Sequence, residues 1–170
     1  FTIDITAPTL SQVTAVTSPN NDTMPSYTFS SNEAGTISYG GSCKVDWVTS
    51  KYTGSLTIRF NTLSEGSYSN CTITVTDSAG NASSALSVNT FVVDTTAPSI
   101  SEATAVTTPT NDTTPDYTFS STESGTITYG GSCSSSTTSV TTNNNTITLV
   151  SLSNGTYSDC IITVTDSAGN

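Results

Sequence analysis

The stretch from Asp4 to Cys43, DITAPTLSQVTAVTSPNNDTMPSYTFSSNEAGTISYGGSC, recurs as Asp94 to Cys133, DTTAPSISEATAVTTPTNDTTPDYTFSSTESGTITYGGSC. The two stretches are identical at 28 of 40 positions. A second block, Cys71–Asn81, recurs as Cys160–Asn170 with 10 of 11 positions identical. The offset is 90 residues at the first block and 89 at the second. A repeat of this length predicts two tandem domains, residues 1–93 and 94–170.

Within each repeat, apolar residues alternate with Ser and Thr, as in Tyr27-Thr-Phe29 and Ile37-Ser-Tyr39. A period of two indicates strands, and Gly, Pro, Asn and Asp interrupt it about every 8 to 12 residues, as in a β-sandwich. The pattern predicts an all-β chain of two tandem immunoglobulin-like β-sandwich domains. The predicted strands of the first repeat are A (Thr9–Thr17), B (Ser26–Ser31), C (Thr36–Gly41), E (Ser55–Asn61), F (Tyr68–Asp77) and G (Ala85–Val93).

A short motif before strand F supports this fold. Leu63–Tyr68 (LSEGSY) and its copy Leu152–Tyr157 (LSNGTY) each place a Tyr after Gly. Immunoglobulin sandwiches have a Tyr at this corner whose hydroxyl bonds back to the chain a few residues upstream. We expect Tyr68 and Tyr157 to act in that way.

Composition excludes several functions. The chain has 170 residues, with 13 acidic and 3 basic side chains, no His and a formal charge of -10. Without His, a Ser-His-Asp triad and His-ligated metals are excluded, and the charge disfavours nucleic acid as a partner. No apolar run approaches the ~20 residues of a membrane span. The sequence therefore predicts a protein that is not an enzyme. Its 30 Ser and 37 Thr residues suit outward-facing strand positions.

The four cysteines form two equivalent pairs, Cys43 with Cys71 and Cys133 with Cys160. Strands C and F are antiparallel neighbours in the predicted topology, so the end of C meets the start of F. We therefore expect one disulfide per domain, capping the core from inside. Disulfides indicate an oxidising compartment and hence an extracellular or cell-surface location.

Four phrases resemble a known family. VDTTAP (Val93–Pro98), NDTTP (Asn111–Pro115), the Glu of STESGT (Glu123) and VTDSAGN (Val164–Asn170) are similar to the bacterial Ig-like repeats of large surface adhesins and biofilm proteins. The resemblance implies an extracellular, non-catalytic stalk, frequently stiffened by Ca²⁺ between consecutive domains. A disulfide is not general in that family, and the acidic loops of its best calcium binders are richer in carboxylates than those here.

Acidic residues recur at the pole where the chain enters each predicted sandwich. Asp94, Glu123 and Asp166 should converge there in the second repeat, as should Asp4, Glu33 and Asp77 in the first. Asp22 would approach the junction from the first domain, and Asn81 and Asn170 could complete the ligand shells. Ca²⁺ takes 6 to 8 oxygen ligands, and such an extracellular site binds with a Kd of roughly 10⁻⁴ to 10⁻³ M. The alternative, that Asp166 and Asn170 only shape a turn and Asp94 caps a strand end, remains open.

The repeats differ most between Cys43 and Gly54. All three bases lie in or beside this segment, together with two aromatic residues: Lys44, Trp47, Lys51, Tyr52 and Arg59. A basic, aromatic patch suits contact with a neighbouring copy or a glycan stacked on Trp47. The alternative is that Trp47 covers the edge of its own core while the bases are solvated.

Six N-x-S/T triplets are candidate glycosylation sites, and they lie at Asn21, Asn70, Asn81, Asn111, Asn144 and Asn154.

The two ends of the sequence complement each other. Phe1–Asp4 aligns with Phe91–Asp94, the tail of strand G, whereas the second repeat lacks a strand G. Either the sequence is a window from a longer array, or copies assemble head to tail by strand donation. Phe1–Ile3 alone is too short to replace a strand that contains counterparts of Leu86 and Val88.

These features together predict a structural repeat unit of an extracellular stalk or filament. The runner-up is a module that binds a glycan or a protein through the Trp47 region.

Overall fold

A computed structural model describes residues 1–46 and 53–170. The chain divides into two compact units, Phe1–Thr95 and Thr96–Asn170. The sequence placed the division near Val93–Asp94. Each unit is described by itself below.

The first unit has eight strands in the described residues: β1 (Leu10–Thr14), β2 (Ser26–Ser31), β3 (Gly35–Gly40), β4 (Gly54–Arg59), β5 (Gly66–Tyr68), β6 (Thr72–Asp77), β7 (Leu86–Ser87) and β8 (Phe91–Val93). One sheet has the order β1-β2-β4 and another the order β3-β6-β7, while β5 pairs with β8. All of these pairings are antiparallel.

Alternation along the strands separates the core from the outer faces. Tyr27 and Phe29 of β2 are buried, as are Ile37 of β3 and Ile73 and Val75 of β6. Between the buried positions of β2 lies Thr28, whose hydroxyl is 2.7 Å from that of Thr57 on β4. The Thr-rich sequence thus pairs hydroxyls on the outer face, while the inner faces form the core of a sandwich.

Strands F and G were each predicted as one strand, and this was wrong. F is divided into β5 and β6 around Asn70-Cys71, and G is divided into β7 and β8. The break in G has a visible cause. The Asn89 side chain accepts a hydrogen bond from the Val16 backbone N–H and donates one to the Val16 carbonyl, both at 2.9 Å. Between β7 and β8, the Asn89 side chain therefore makes the hydrogen bonds to the Val16 backbone that a strand backbone would otherwise make.

The second unit repeats this plan with β9 (Ile100–Thr104), β10 (Asp116–Ser121), β11 (Gly125–Gly130), β12 (Ser139–Val140), β13 (Asn143–Thr148) and β14 (Ile161–Thr165). Its sheets have the orders β13-β10-β9 and β12-β11-β14. The buried cluster is smaller and consists of Phe119, Ile127, Val140, Ile147 and Val164. The fold is therefore all-β, with two immunoglobulin-like sandwiches.

Both predicted disulfides are present, Cys43–Cys71 and Cys133–Cys160. In the first unit both cysteines are buried, as expected for a bridge that caps the core from inside. In the second unit Cys133 is buried but Cys160 is exposed, which corrects the prediction for that domain. The reason is that Val88 donates its N–H to the Cys71 carbonyl in the first unit, whereas residues 96–170, all of them described, contain no counterpart of β7 and β8.

The predicted tyrosine corner is also present in both units. The Tyr68 hydroxyl donates to the Ser64 carbonyl, and that of Tyr157 donates to the Ser153 carbonyl, each at 2.8 Å. Each bond closes the loop that precedes β6 in the first unit and β14 in the second.

Candidate metal centre

Three carboxylates converge at one pole of the first unit. Asp4 precedes β1, Glu33 lies in the loop between β2 and β3, and Asp77 ends β6. One carboxylate oxygen of each lies within 4.8 Å of the other two. The sheet register accounts for part of this, because Gly35 at the start of β3 pairs with Asp77. Glu33, two residues earlier, is therefore placed beside the end of β6.

Asp77 also organises the tight turn that follows β6. One of its oxygens accepts the backbone N–H groups of Ala79 and Asn81, each at 2.8 Å. The other accepts the Asn81 side-chain amide at 2.8 Å. The left-handed φ of 96° at Gly80 allows the chain to close this turn. The turn-shaping role predicted for Asp166 and Asn170 is thus present at their first-unit counterparts, together with the convergence of the acids.

Asn81 links Asp77 to Asp4. Its amide nitrogen donates to the Asp4 backbone carbonyl at 3.2 Å, in addition to the Asp77 carboxylate. The Asp4 carboxylate accepts the Thr6 N–H at 3.1 Å, which holds the entering chain in a turn. The side-chain oxygen of Asn81 is the only atom of its amide that could serve a metal, because a cation binds oxygen and not the NH₂ group.

The loop that carries Glu33 is held by a residue that sequence reasoning missed. The buried Ser31 hydroxyl donates to the Glu33 carbonyl at 2.6 Å. The same bond joins Ser121 and Glu123 in the second unit, again at 2.6 Å. The signal was available, since a Ser stands two residues before the acid in both repeats. This bond uses the backbone of the Glu and leaves its carboxylate to face the other acids.

Of the three acids that correspond to Asp4, Glu33 and Asp77, two belong to the second unit. Carboxylate oxygens of Glu123 and Asp166 lie within 4.8 Å of each other. Asp166 is largely buried, and one of its oxygens accepts the N–H groups of Ala168, Gly169 and Asn170 at 2.7 to 2.9 Å. The third predicted ligand, Asp94, belongs to the first unit, where its N–H donates to the Asn20 carbonyl. Its role as a ligand with Glu123 and Asp166 stays a prediction.

Comparison with known proteins places the chain in a family. Residues 2–95, more than half of the chain, match the family model described as a bacterial Ig-like domain. The chain belongs to the bacterial Ig-like domain family. No curated protein and no solved structure gives a significant match to this bacterial Ig-like protein. The described parts of the chain contain no helix that is long and apolar enough to cross a membrane.

The turn hydrogen bonds of this Ig-like protein act on the pKa of each turn aspartate. The Asn81 side chain, with the N–H groups of Asn81, Ala79 and Gly80, lowers the pKa of Asp77 against a smaller opposing effect of burial. Burial acts to raise the pKa of Asp166, but the hydrogen bonds from Asn170, Gly169 and Ala168 outweigh it, and the pKa is lowered. Both carboxylates are therefore charged at neutral pH and available to a cation.

We expect Asp77 to make the first unit sensitive to acid. Because its pKa is lower in the folded than in the unfolded state, its contribution is present above the unfolded pKa of about 4 and is lost as pH falls through the folded value. In EDTA at pH 7, Asp77→Asn should lower the urea midpoint of the first unit. At a pH low enough to protonate Asp77 in the folded state as well, the variant and the wild type should have similar midpoints. Midpoints that differ equally at both pH values would contradict this assignment.

The remaining predicted contact residues fall into two groups. Arg59 makes an ion pair with Asp22 at 3.3 Å and donates from Nε to the Met24 carbonyl at 2.7 Å. Asp22 also accepts the Met24 N–H, so this acid is part of its own loop. Its approach to the domain junction stays a prediction. Lys44 is exposed. Trp47, Lys51 and Tyr52 lie outside the described residues, so the predicted partner patch stays a prediction.

The candidate glycosylation sites differ in how their amides are used. Asn81 donates its two amide hydrogens to Asp77 and Asp4, so a glycan there would remove one of these two donors. Asn70 is exposed, and its side-chain oxygen accepts the Ser42 N–H at 3.1 Å. The other four are exposed, and they are Asn21, Asn111, Asn144 and Asn154.

Proposed function

We propose that this protein is a structural repeat unit of an extracellular stalk or filament, and that Ca²⁺ binds the cluster of Asp4, Glu33 and Asp77. The observation that carries the calcium proposal is the approach of three carboxylates within 4.8 Å. By sequence repetition, Asp94, Glu123 and Asp166 are the counterpart set, and we propose the same ligand for them.

The donor set fits a hard cation. Three carboxylates bring a formal charge of -3, and a divalent cation that binds them offsets the repulsion among them. Arg59 is paired with Asp22. Lys44 follows Cys43, which is bonded to Cys71 at the start of β6, whereas Asp77 ends that strand. A six-residue strand is about 20 Å long, so Lys44 lies too far away to neutralise the cluster.

Oxygen ligands alone favour Ca²⁺ over transition metals. Each carboxylate has about four lone-pair sites, and Asp77 keeps sites beyond those used by its turn. Ca²⁺ accepts irregular sets of 6 to 8 oxygens, including water, whereas Mg²⁺ requires a near-ideal octahedron. The three side chains come from different parts of the chain and are partly exposed to solvent. Such a site binds Ca²⁺ weakly, which is sufficient where the extracellular Ca²⁺ concentration is in the millimolar range.

The stalk proposal rests on the family, the repetition and the disulfides. Bacterial Ig-like domains are typically structural modules without catalysis, and one disulfide per unit suits an oxidising environment. A Ser- and Thr-rich outer face with paired hydroxyls gives a neutral, well-hydrated surface. Immunogold labelling of intact cells of the source organism tests the location. Label at the cell surface is expected, and label confined to the cytoplasm would contradict the proposal.

Calcium should raise the melting temperature of the first unit. For a Kd of roughly 10⁻⁴ to 10⁻³ M, about 10 mM Ca²⁺ stabilises the folded state by about 1.4 to 2.7 kcal/mol, or roughly 5 °C or more. We would compare calorimetric melting in EDTA, in Ca²⁺ and in Mg²⁺ at the same concentration. The Mg²⁺ sample controls for general screening of a chain with a charge of -10.

Glu33→Gln is the most informative variant, because the hydrogen bond to Ser31 uses the Glu33 backbone and survives the change. We expect it to remove most of the Ca²⁺-dependent shift. Glu102→Gln makes the same chemical change on the exposed strand β9, outside both acid clusters, and should keep the shift. Equal melting curves in EDTA and Ca²⁺ for the wild type would refute the calcium proposal.

A further inference from the structure

Asn154 and Gly155 form the only Asn-Gly dipeptide of the sequence. Asparagine is one of the chemically labile residues of proteins, because its side-chain carbonyl carbon can be attacked by the backbone nitrogen of the next residue. Gly has no Cβ, so it hinders this attack least and adopts the required backbone conformation without steric cost. Which asparagines react also depends on whether the fold holds their side chains.

Most asparagine side chains of this protein are held by hydrogen bonds. Asn89 bonds to the Val16 backbone, and Asn61 exchanges two bonds with Asp46. Within the described residues, four asparagine side chains make no hydrogen bond, and they are Asn111, Asn143, Asn144 and Asn154. Asn143 and Asn144 lie in β13, which is paired with β10 along its whole length. Of the two that remain, only Asn154 precedes Gly.

The exposure of Asn154 is a property of this corner of the sandwich. Its first-unit counterpart, Glu65, is exposed as well, although β5 and β8 are paired beside it. The Glu65 carboxylate accepts the Thr95 N–H at 3.4 Å and the Thr95 hydroxyl at 3.0 Å. A side chain at this position therefore lies outside the core, and a negative charge is accommodated there.

We propose that Asn154 is a site of spontaneous deamidation. The Gly155 backbone nitrogen, after losing its proton to base, forms a bond to Asn154 Cγ. The bond from Cγ to Nδ2 then breaks, ammonia leaves, and a five-membered succinimide remains. Water adds to one of the two imide carbonyl carbons and opens the ring, either to Asp or to isoaspartate. One water is consumed for each ammonia released, and the reaction requires no oxidant, metal or cofactor.

The two products have different effects on the tyrosine corner. Both add one negative charge to the second unit. The Asp product keeps the length of the backbone and places a carboxylate where the first unit has Glu65. Isoaspartate instead continues the chain through Cγ and lengthens the backbone by one carbon. Position 154 lies inside the loop that the hydrogen bond from the Tyr157 hydroxyl to the Ser153 carbonyl closes at 2.8 Å. Isoaspartate should therefore disrupt this bond, whereas Asp should leave it in place.

This inference does not depend on the calcium proposal or on the stalk proposal. It does compete with one other fate of the same residue, because Asn154 is also a candidate glycosylation site. A glycan is attached to Nδ2, the atom that deamidation releases as ammonia, so a single copy cannot undergo both. Because ammonia leaves, the deamidated product accumulates with the age of the protein.

Mass spectrometry of the intact chain, incubated at mildly alkaline pH and then digested, tests the proposal. The Asn154 position should gain one mass unit at least about tenfold faster than Asn111 or Asn144, which precede the bulkier Asp112 and Asn145. Fragment ions locate the change, and chromatography separates the Asp from the isoaspartyl peptide. The rate should rise with pH, because the attacking nitrogen must lose its proton.

Two variants serve as matched controls. Asn154→Gln keeps the amide but would require a six-membered ring, and Gly155→Ala adds a Cβ to the attacking residue. Each should slow the reaction at position 154 at least about tenfold. Gly155→Ala fits the fold, since the added Cβ would lie 3.9 Å from the Tyr157 ring, an ordinary contact. A rate at Asn154 no faster than at Asn111 and Asn144, a rate that Gly155→Ala leaves unchanged, or a glycan on Asn154 would each overturn the proposal.

Discussion

Replacing Phe91 by Ala should destabilise the first unit by about 3 to 5 kcal/mol, the usual cost of truncating a buried Phe. Phe91 has no exposed surface and stacks on Phe60 and Tyr68. It anchors β8 to β5, so its loss removes the main side-chain contact between these two strands. Since a domain of this size is stable by only about 5 to 15 kcal/mol, a large part of its stability is removed.

The measurement needs a separate midpoint for each unit. Backbone amide NMR signals from β6 and β14, followed through a urea titration, provide one for the first and one for the second unit. With an m-value of about 1 to 2 kcal/mol/M, the first midpoint should fall by roughly 2 M. Phe1→Ala is the matched control, because Phe1 is fully exposed and its truncation should change the free energy of unfolding by less than about 0.5 kcal/mol. Equal midpoints for the two variants would show that β8 does not anchor the sheet.

The sequence was sufficient to predict the elements whose pattern is local. Strand B was predicted at Ser26–Ser31 and is β2 with the same bounds, because Tyr27 and Phe29 alternate with hydroxyl residues between turn signals. The disulfide pairs followed from the antiparallel neighbours C and F, which β3 and β6 confirm. The approach of Asp4, Glu33 and Asp77 followed from which loops share a pole.

Features that depend on side chains reaching across the fold could not be predicted. The division of strand G depends on Asn89 bonding to Val16, 73 residues away in the chain. Periodicity describes which face a residue occupies and carries no information about such a bond. Arg59 was grouped with a basic patch because of its position in the sequence, but its guanidinium reaches Asp22.

The two repeats make the role of context visible. Tyr27 and Tyr117 stand in nearly identical sequences, YTFSS in both, yet only Tyr27 is fully buried. Cys71 and Cys160 differ in the same way. Local sequence thus determined where the strand lies and which of its side chains face inward. How deeply Tyr27 and Cys71 are buried depends on β7 and β8, which pack beside them in the first unit.

The two disulfides should stabilise their units equally, although one is buried and the other is partly exposed. The loops closed by the two bridges are nearly equal, with separations of 28 and 27 residues. In the chain-entropy description each bridge therefore stabilises its unit by about 3 to 4 kcal/mol. Cys43→Ala/Cys71→Ala and Cys133→Ala/Cys160→Ala should each lower the urea midpoint of their own unit substantially and leave that of the other unchanged. Each double variant is the control for the other.

The rates of reduction should nevertheless differ. Thiol–disulfide exchange requires a thiolate to reach one sulfur, and Cys160 is exposed, whereas Cys43 and Cys71 are 1% and 2% exposed. In dithiothreitol under native conditions, Cys133–Cys160 should be reduced first, and Cys43–Cys71 only when the first unit opens. Alkylation of the freed thiols and peptide mass spectrometry at successive times identify the order. Prior reduction of Cys43–Cys71, or equal rates, would show that exposure of the cysteine does not set the order of reduction.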